Sequence, residues 1–158
     1  MKLIPFFEGD LIYDESTEAG VAAFEATGDI STYAQGDGRI TGDRLSGNLR
    51  WTAHPRRRAD GVSLPDFHGV ITTDDAATIL FSFQGYSVGG REAAKPHPLQ
   101  PYEQRAVLAT LTFAAGEDRY RWHNRVFALM EADARPFADP ERWHIRAFEC
   151  VNEIVSES

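Results

Sequence analysis

The chain has 158 residues, with 16 Lys and Arg against 24 Asp and Glu, for a formal net charge of -8. An acidic total speaks against general binding to nucleic acid or an anionic membrane, since both need a cationic field. At 42% hydrophobic and 11% aromatic residues, the composition is that of a chain that folds.

One cysteine, Cys150, excludes an internal disulfide framework and a multi-Cys zinc site. No stretch approaches the roughly 20 apolar residues of a membrane span, and the start, MKLIPFFEGDLIYDE, lacks the apolar core of a signal peptide. These features predict one cytoplasmic domain over 1–158, with no cofactor. The expected partners are a small-molecule ligand or substrate and a second copy in a homodimer, with no nucleic acid and no membrane.

Short runs of alternating or β-type residues lie between frequent glycines and prolines. Strands are predicted at 3–7, 11–13, 21–26, 39–40, 44–53, 66–73, 78–84, 105–113, 119–130 and 143–152. In 44–53, Leu45, Gly47, Leu49 and Trp51 share a face; in 78–84, Ile79, Phe81 and Phe83 do. Segments GDGRITG and GYSVGGR read as β-turns, and 94–105 reads as an extended loop with three prolines. The pattern is all-β, a sandwich or a barrel.

The stretch from Thr52 to Asp75 is densest in ionisable groups. Asp66 and His68 stand two apart on a predicted strand, so they share one face with Val70 and Thr72. On an inner face they would form a general base with its orienting partner; otherwise they are a polar pair satisfied by neighbouring strands or an edge facing water. Arg58 and Asn124 would anchor a developing negative charge. Asp60–Gly61 is a turn dipeptide, and Asp74–Asp75 cap a turn before Thr78. The five histidines show no i, i+2 or i, i+4 pairing, so no short metal motif exists. Aromatics such as Trp51, Tyr120 and Trp122 read as core or as the wall of a ligand cavity.

These segments also resemble a family. GDGRITGDRLSGNLRW, then RRRADG, then PDFHGVITTDDAATILFSFQG are similar to the "domain of unknown function 3237" (UPF0311) group. Gly42, Leu45, Gly47, Trp51, Asp60, Gly61, Asp66, Thr73, Asp74 and Asp75 fill the comparable places. Tyr120, Trp122 and Asn124 match that group's Y-x-W-x-N strand, and WHIRAFEC its closing strand. His68 stands where an Arg is commoner, Ala76 replaces a Gly, and Asn48–Arg50 replace a double Gly. The resemblance implies a closed antiparallel β-barrel of about eight strands, calycin-like or allene-oxide-cyclase-like, holding one small molecule in its mouth.

Two functions follow as expectations: a small-molecule-binding barrel, or a cofactor-free isomerase, cyclase or dehydratase acting by proton transfer on a polyketide-like or lipid-like substrate. A structural barrel without a ligand is the third. Fourteen of the 16 cations are arginine, and several of Arg44, Arg50, Arg56, Arg57, Arg58, Arg119, Arg121 and Arg125 are expected to pair with acids across neighbouring strands.

Overall fold

The computed structural model describes residues 1–24, 29–89, 105–135 and 138–155. Its strands are β1 (Lys2–Phe24), β2 (Asp29–Thr41), β3 (Gly47–Ala53), β4 (Arg56–Arg57), β5 (Ser63–Leu64), β6 (Asp66–Thr73), β7 (Thr78–Gly89), β8 (Arg105–Ala115), β9 (Ala128–Arg135) and β10 (Arg142–Val151). A 3₁₀ helix, Asp118–Arg125, lies between β8 and β9. Eight strands close a ring of antiparallel pairs in the order β1–β2–β3–β6–β7–β8–β9–β10, and β10 returns to β1. The short β4 and β5 bridge β2 to β7. The chain is therefore an all-β, eight-stranded closed barrel.

Alternation sets the inner face. On β3, Gly47, Leu49, Trp51 and Ala53 are buried and the residues between them exposed. On β7, Ile79, Phe81 and Phe83 point inward, and on β8 burial alternates without a break. One inner layer can be followed through the register: Tyr13 opposes Gly36, Gly36 opposes Trp51, Trp51 opposes Gly69, Gly69 opposes Phe81, and Phe81 opposes Phe113. Glycine alternates with aromatic because the rings lie over the glycines. A Cβ at Gly36 would meet the Trp51 ring at 2.3 Å, and one at Gly69 the Phe81 ring at 2.6 Å. The residual space among Leu11, Ile40, Ile71, Phe83, Leu111 and their neighbours is about 10 Å³, at the lower limit for one water.

Several strands differ from the sequence expectation. β1 and β2 run unbroken through Gly9, Gly36 and Gly38, so GDGRITG is strand rather than turn. The first part of GYSVGGR likewise belongs to β7. These glycines mark close approach rather than reversal: a Cβ at Gly9 would fall 1.9 Å from the Arg39 carbonyl. The predicted strand 119–130 is the 3₁₀ helix followed by the start of β9. β8 ends at the base of the barrel, and the helix carries the chain across that end with His123 turned inward and fully buried. Residues 25–26 of the predicted strand 21–26, and 94–104 of the predicted loop, lie outside the described residues.

Arginines do pair across the wall. Arg39 forks onto Asp74 through two contacts of 2.9 Å, Arg146 bonds Glu131 on the neighbouring strand, and Arg44 bonds Glu149. Arg119 reaches Asp75 at 3.0 Å, while Arg121 pairs locally with Asp118 at 2.7 Å. Arg50 and Arg125 are exposed. Such surface pairs each contribute little to stability.

Two substitutions test the packing. Gly69→Ala should destabilise by about 1–3 kcal/mol through overpacking against Phe81 and the Arg50 carbonyl. Ala76 holds a left-handed backbone at φ 67°, so Ala76→Gly should stabilise by about 1 kcal/mol. Urea unfolding midpoints read both.

Candidate functional site

The two ends of the barrel are built differently. At the floor, the Asn124 carboxamide accepts from the Ala115 N–H at 2.6 Å and donates to the Ala115 carbonyl at 3.0 Å. This pair of hydrogen bonds ties the 3₁₀ helix to the end of β8. Tyr120 donates to Asp75 at 2.8 Å. Trp122 packs against His123 with centroids 3.8 Å apart and the rings tilted by 32°, and the Arg44 guanidinium lies over Trp122 at 4.8 Å. Nδ1 of His123 meets the Tyr120 carbonyl at 2.9 Å, while its Nε2 is buried without a partner. Burial, with the Arg44 charge nearby, lowers the His123 pKa, so the ring is neutral. Tyr120, Trp122 and Asn124 are thus the floor of the barrel and its lock.

Asp66 and His68 lie on the outside. On β6, Phe67, Ile71 and Thr73 are buried, so the alternate positions Asp66 and His68 face outward. They do meet each other: Asp66 Oδ1 lies 3.0 Å from His68 Nε2 and accepts from the Gln84 amide at 3.0 Å. The inner-face condition for a water-poor base is not met, because the side-chain period of β6 puts Phe67 inside. Two shallow grooves flank the pair on the outer wall, of about 760 Å³ beside Asp66 and about 950 Å³ beside His68.

Trp51 is in the core near the opposite end from Tyr120, with its indole N–H donating to the Asp37 carbonyl at 2.8 Å. Arg58 sits in the turn after β4 and bonds Asp60. That turn forms as the Asp60–Gly61 dipeptide suggests, with Gly61 at φ 86°. The expected site residues therefore occupy the outer wall, the floor, a turn and the core, and do not line one cavity.

The mouth end holds a group of polar residues that spacing alone does not reveal. β1 and β2 slip register between Asp14 and Ala19, so residues 15–18 bulge out of the ladder. Asp14 accepts from the Ser16 N–H at 3.1 Å, and Thr17 Oγ1 donates to the Asp14 carbonyl at 2.7 Å, which folds the bulge. Glu141, just before β10, is fixed against it. Its carbonyl accepts from the Tyr13 N–H at 2.9 Å, and its N–H points at the Glu15 carboxylate at 3.4 Å. The Glu18 and Glu141 side chains hydrogen-bond to each other. Two carboxyls joined this way share a proton, since one must donate. Burial pushes Glu141 up to about 8, helped by the charges of Glu18 and Glu15. Burial, then Glu141 and Glu18, raise the Tyr13 phenol well above its ordinary value.

Tyr13 packs edge-on against Trp51 at 4.7 Å and beside Trp143 at 6.3 Å. At the same end Arg105 is buried, donating to Ser87 Oγ and the Ser87 carbonyl at 2.9 Å each and to the Gly61 carbonyl at 3.1 Å. An aromatic wall with a protonated carboxyl pair can hold a neutral polar group and exchange a proton with it. Among the described residues, no group of three His, Cys, Asp or Glu is arranged to hold a metal ion.

No family model matches the chain, and no curated protein matches it. Solved structures do share the fold. A β-barrel-like protein from Acinetobacter baumannii AYE has a TM-score of 0.75 at 16% identity over 94% of each chain. A protein of unknown function from Clostridium acetobutylicum has a TM-score of 0.77 at 16% identity, over 96% of this chain and all of its own. An enzyme from Penicillium herquei has a TM-score of 0.56 at 22% identity over 94% of each chain. At these identities the likeness is one of fold, and function has to be argued from the site.

The carboxyl pair has a signature in stability. Glu141 holds its proton to about 8 when folded, but only to its usual 4.5 when unfolded. The native chain therefore binds more protons between those values, and its stability falls as pH rises through them. The melting temperature should drop from about pH 5 to about pH 8, and Glu141→Gln, which cannot ionise, should flatten that drop.

Proposed function

We propose that the chain is a small-molecule-binding β-barrel whose ligand sits at the mouth, against Tyr13 and Trp143, with its polar group on the Glu18–Glu141 pair. The feature that carries this reading is the gathering of Glu15, Glu18 and Glu141 beside Tyr13 and Trp143, where burial pushes the Glu141 carboxyl up to about 8. Gathering Glu15, Glu18 and Glu141 around a half-buried phenol opposes folding, and perturbed groups of this kind cluster at functional sites. The interior is filled, so the ligand rests on the core rather than within it. The motif likeness to the "domain of unknown function 3237" group supports the same placement by analogy. We further propose a cytoplasmic location, in keeping with a single free thiol, Cys150. Among the described residues no helix is long and apolar enough to cross a membrane.

A second reading, a cofactor-free isomerase, cyclase or dehydratase, is favoured by the same proton. A carboxyl that titrates near neutrality is suited to give and retake a proton at a polyketide-like or lipid-like substrate. In that case Glu141 takes over the proton-transfer role expected of the outward Asp66–His68 pair as a general base with its partner.

Mass spectrometry of material extracted from the purified native protein tests the first reading. A defined small molecule is expected, and an empty extract would leave the barrel without a ligand. Glu141→Ala should weaken rebinding of that molecule by about 10- to 100-fold, the loss of a hydrogen bond to a charged or protonated group. His68→Ala should leave it unchanged. If Glu141→Gln abolishes turnover while affinity stays within a few fold, the enzyme reading replaces the binder.

A further inference from the structure

We propose that the outer face of the β7–β8 hairpin is the contact surface for a second copy of this chain. Every outward side chain of β7 and β8 is uncharged. The largest are Leu80, Tyr86, Val88 and Leu108, at 53%, 60%, 44% and 68% exposure. Each of the other six barrel strands carries charge outward, as at Asp10, Asp37, Arg50, Asp66, Glu131 and Arg146. In a chain with net charge -8, a charge-free wall two strands wide is a local exception.

The occupant follows from charge. A two-fold contact places the same patch on both sides, so any single-signed patch would repel itself. The β7–β8 face is the stretch of barrel wall where two acidic copies meet without that cost. A cationic partner would gain more on the acid-bearing strands, so a neutral face suits a second copy better.

The face is also prepared for burial. Ser82 Oγ and Thr112 Oγ1 bond each other at 2.9 Å, Thr110 Oγ1 points to the Gln84 carbonyl at 3.4 Å, and the Gln84 amide is held by Asp66 at 3.0 Å. Each of these side chains thus already has a partner on its own barrel. Leu108, the most exposed of the four large residues, borders the groove of about 760 Å³ that Leu64, Pro65, Tyr86 and Leu129 also line. One copy thus offers both a projection and a recess.

At about 3.4 Å per residue and about 4.8 Å per strand, the two uncharged strands give a contact centre of roughly 400 Å², and β6 and β9 beside them supply a charged rim at Asp66 and Glu131. A stable interface uses roughly 800 Å² per partner.

Sedimentation equilibrium of the full chain decides the matter. The expected mass is twice the 17.6 kDa of one chain. Leu108→Asp should return it to one chain, while Ile12→Asp, exposed on β1 away from this face, should remain paired. Far-UV circular dichroism checks that both variants are folded, and Thr110→Arg serves if Leu108→Asp is not. A native protein at 17.6 kDa at every concentration overturns the proposal, as does a dimer that Leu108→Asp and Thr110→Arg both leave intact.

Discussion

The alternation of glycine with aromatic across the inner layer is what the rest of the barrel depends on. An eight-stranded ring encloses a narrow space, and six large side chains in one layer would not fit it. Gly36 and Gly69 give up their Cβ volume so that Trp51 and Phe81 can lie flat across the neighbouring strand. The Phe67 ring then stacks on Phe83 at 4.3 Å and packs against Trp143 at 4.9 Å, continuing the filling toward the mouth. A core completed this way has little room left for a ligand, so chemistry is displaced to the ends and to the outer wall.

The ends divide the work. The floor is closed by packing and backbone-directed hydrogen bonds, with the Asn124 carboxamide locking the helix and His123 held neutral against Trp122. The mouth carries the opposite arrangement, where carboxyls crowd a half-buried phenol and burial pushes one of them, Glu141, up to about 8. Such crowding opposes folding, whereas the floor contacts support it. Stability and reactivity are thus separated along the barrel axis.

Much of the fold was legible because the β period is strict. β6 runs over the residues that alternation predicts, and the buried faces of β3 and β7 follow the pattern residue by residue. Glycine misled the reading where it serves close packing instead of reversal, as at Gly9 and Gly36, since residue type is the same in both uses. The 119–130 segment misled it because Tyr120, Trp122 and Asn124 alternate, yet Asn124 caps β8 from a helix. The carboxyl pair was not legible at all. Glu18 and Glu141 belong to opposite ends of the chain and meet only through a four-residue bulge and the closing strands. The Asp66–His68 contact was legible as a pair, but which side of the wall it faced depended on Phe67 taking the interior.

The ring closes through its first and last strands. Lys2 opposes Val151, and the amino terminus meets Glu153 at 2.9 Å. Closure therefore joins the residues most distant in sequence, a high-contact-order step that slows folding. During synthesis β1 cannot close the ring until β10 has been made, so until then the sheet stays open along β1 and β9. The charges that line those edges, Glu8 and Asp10 on β1 and Glu131 and Arg135 on β9, give the open sheet protection against pairing with another chain while it waits for its own last strand.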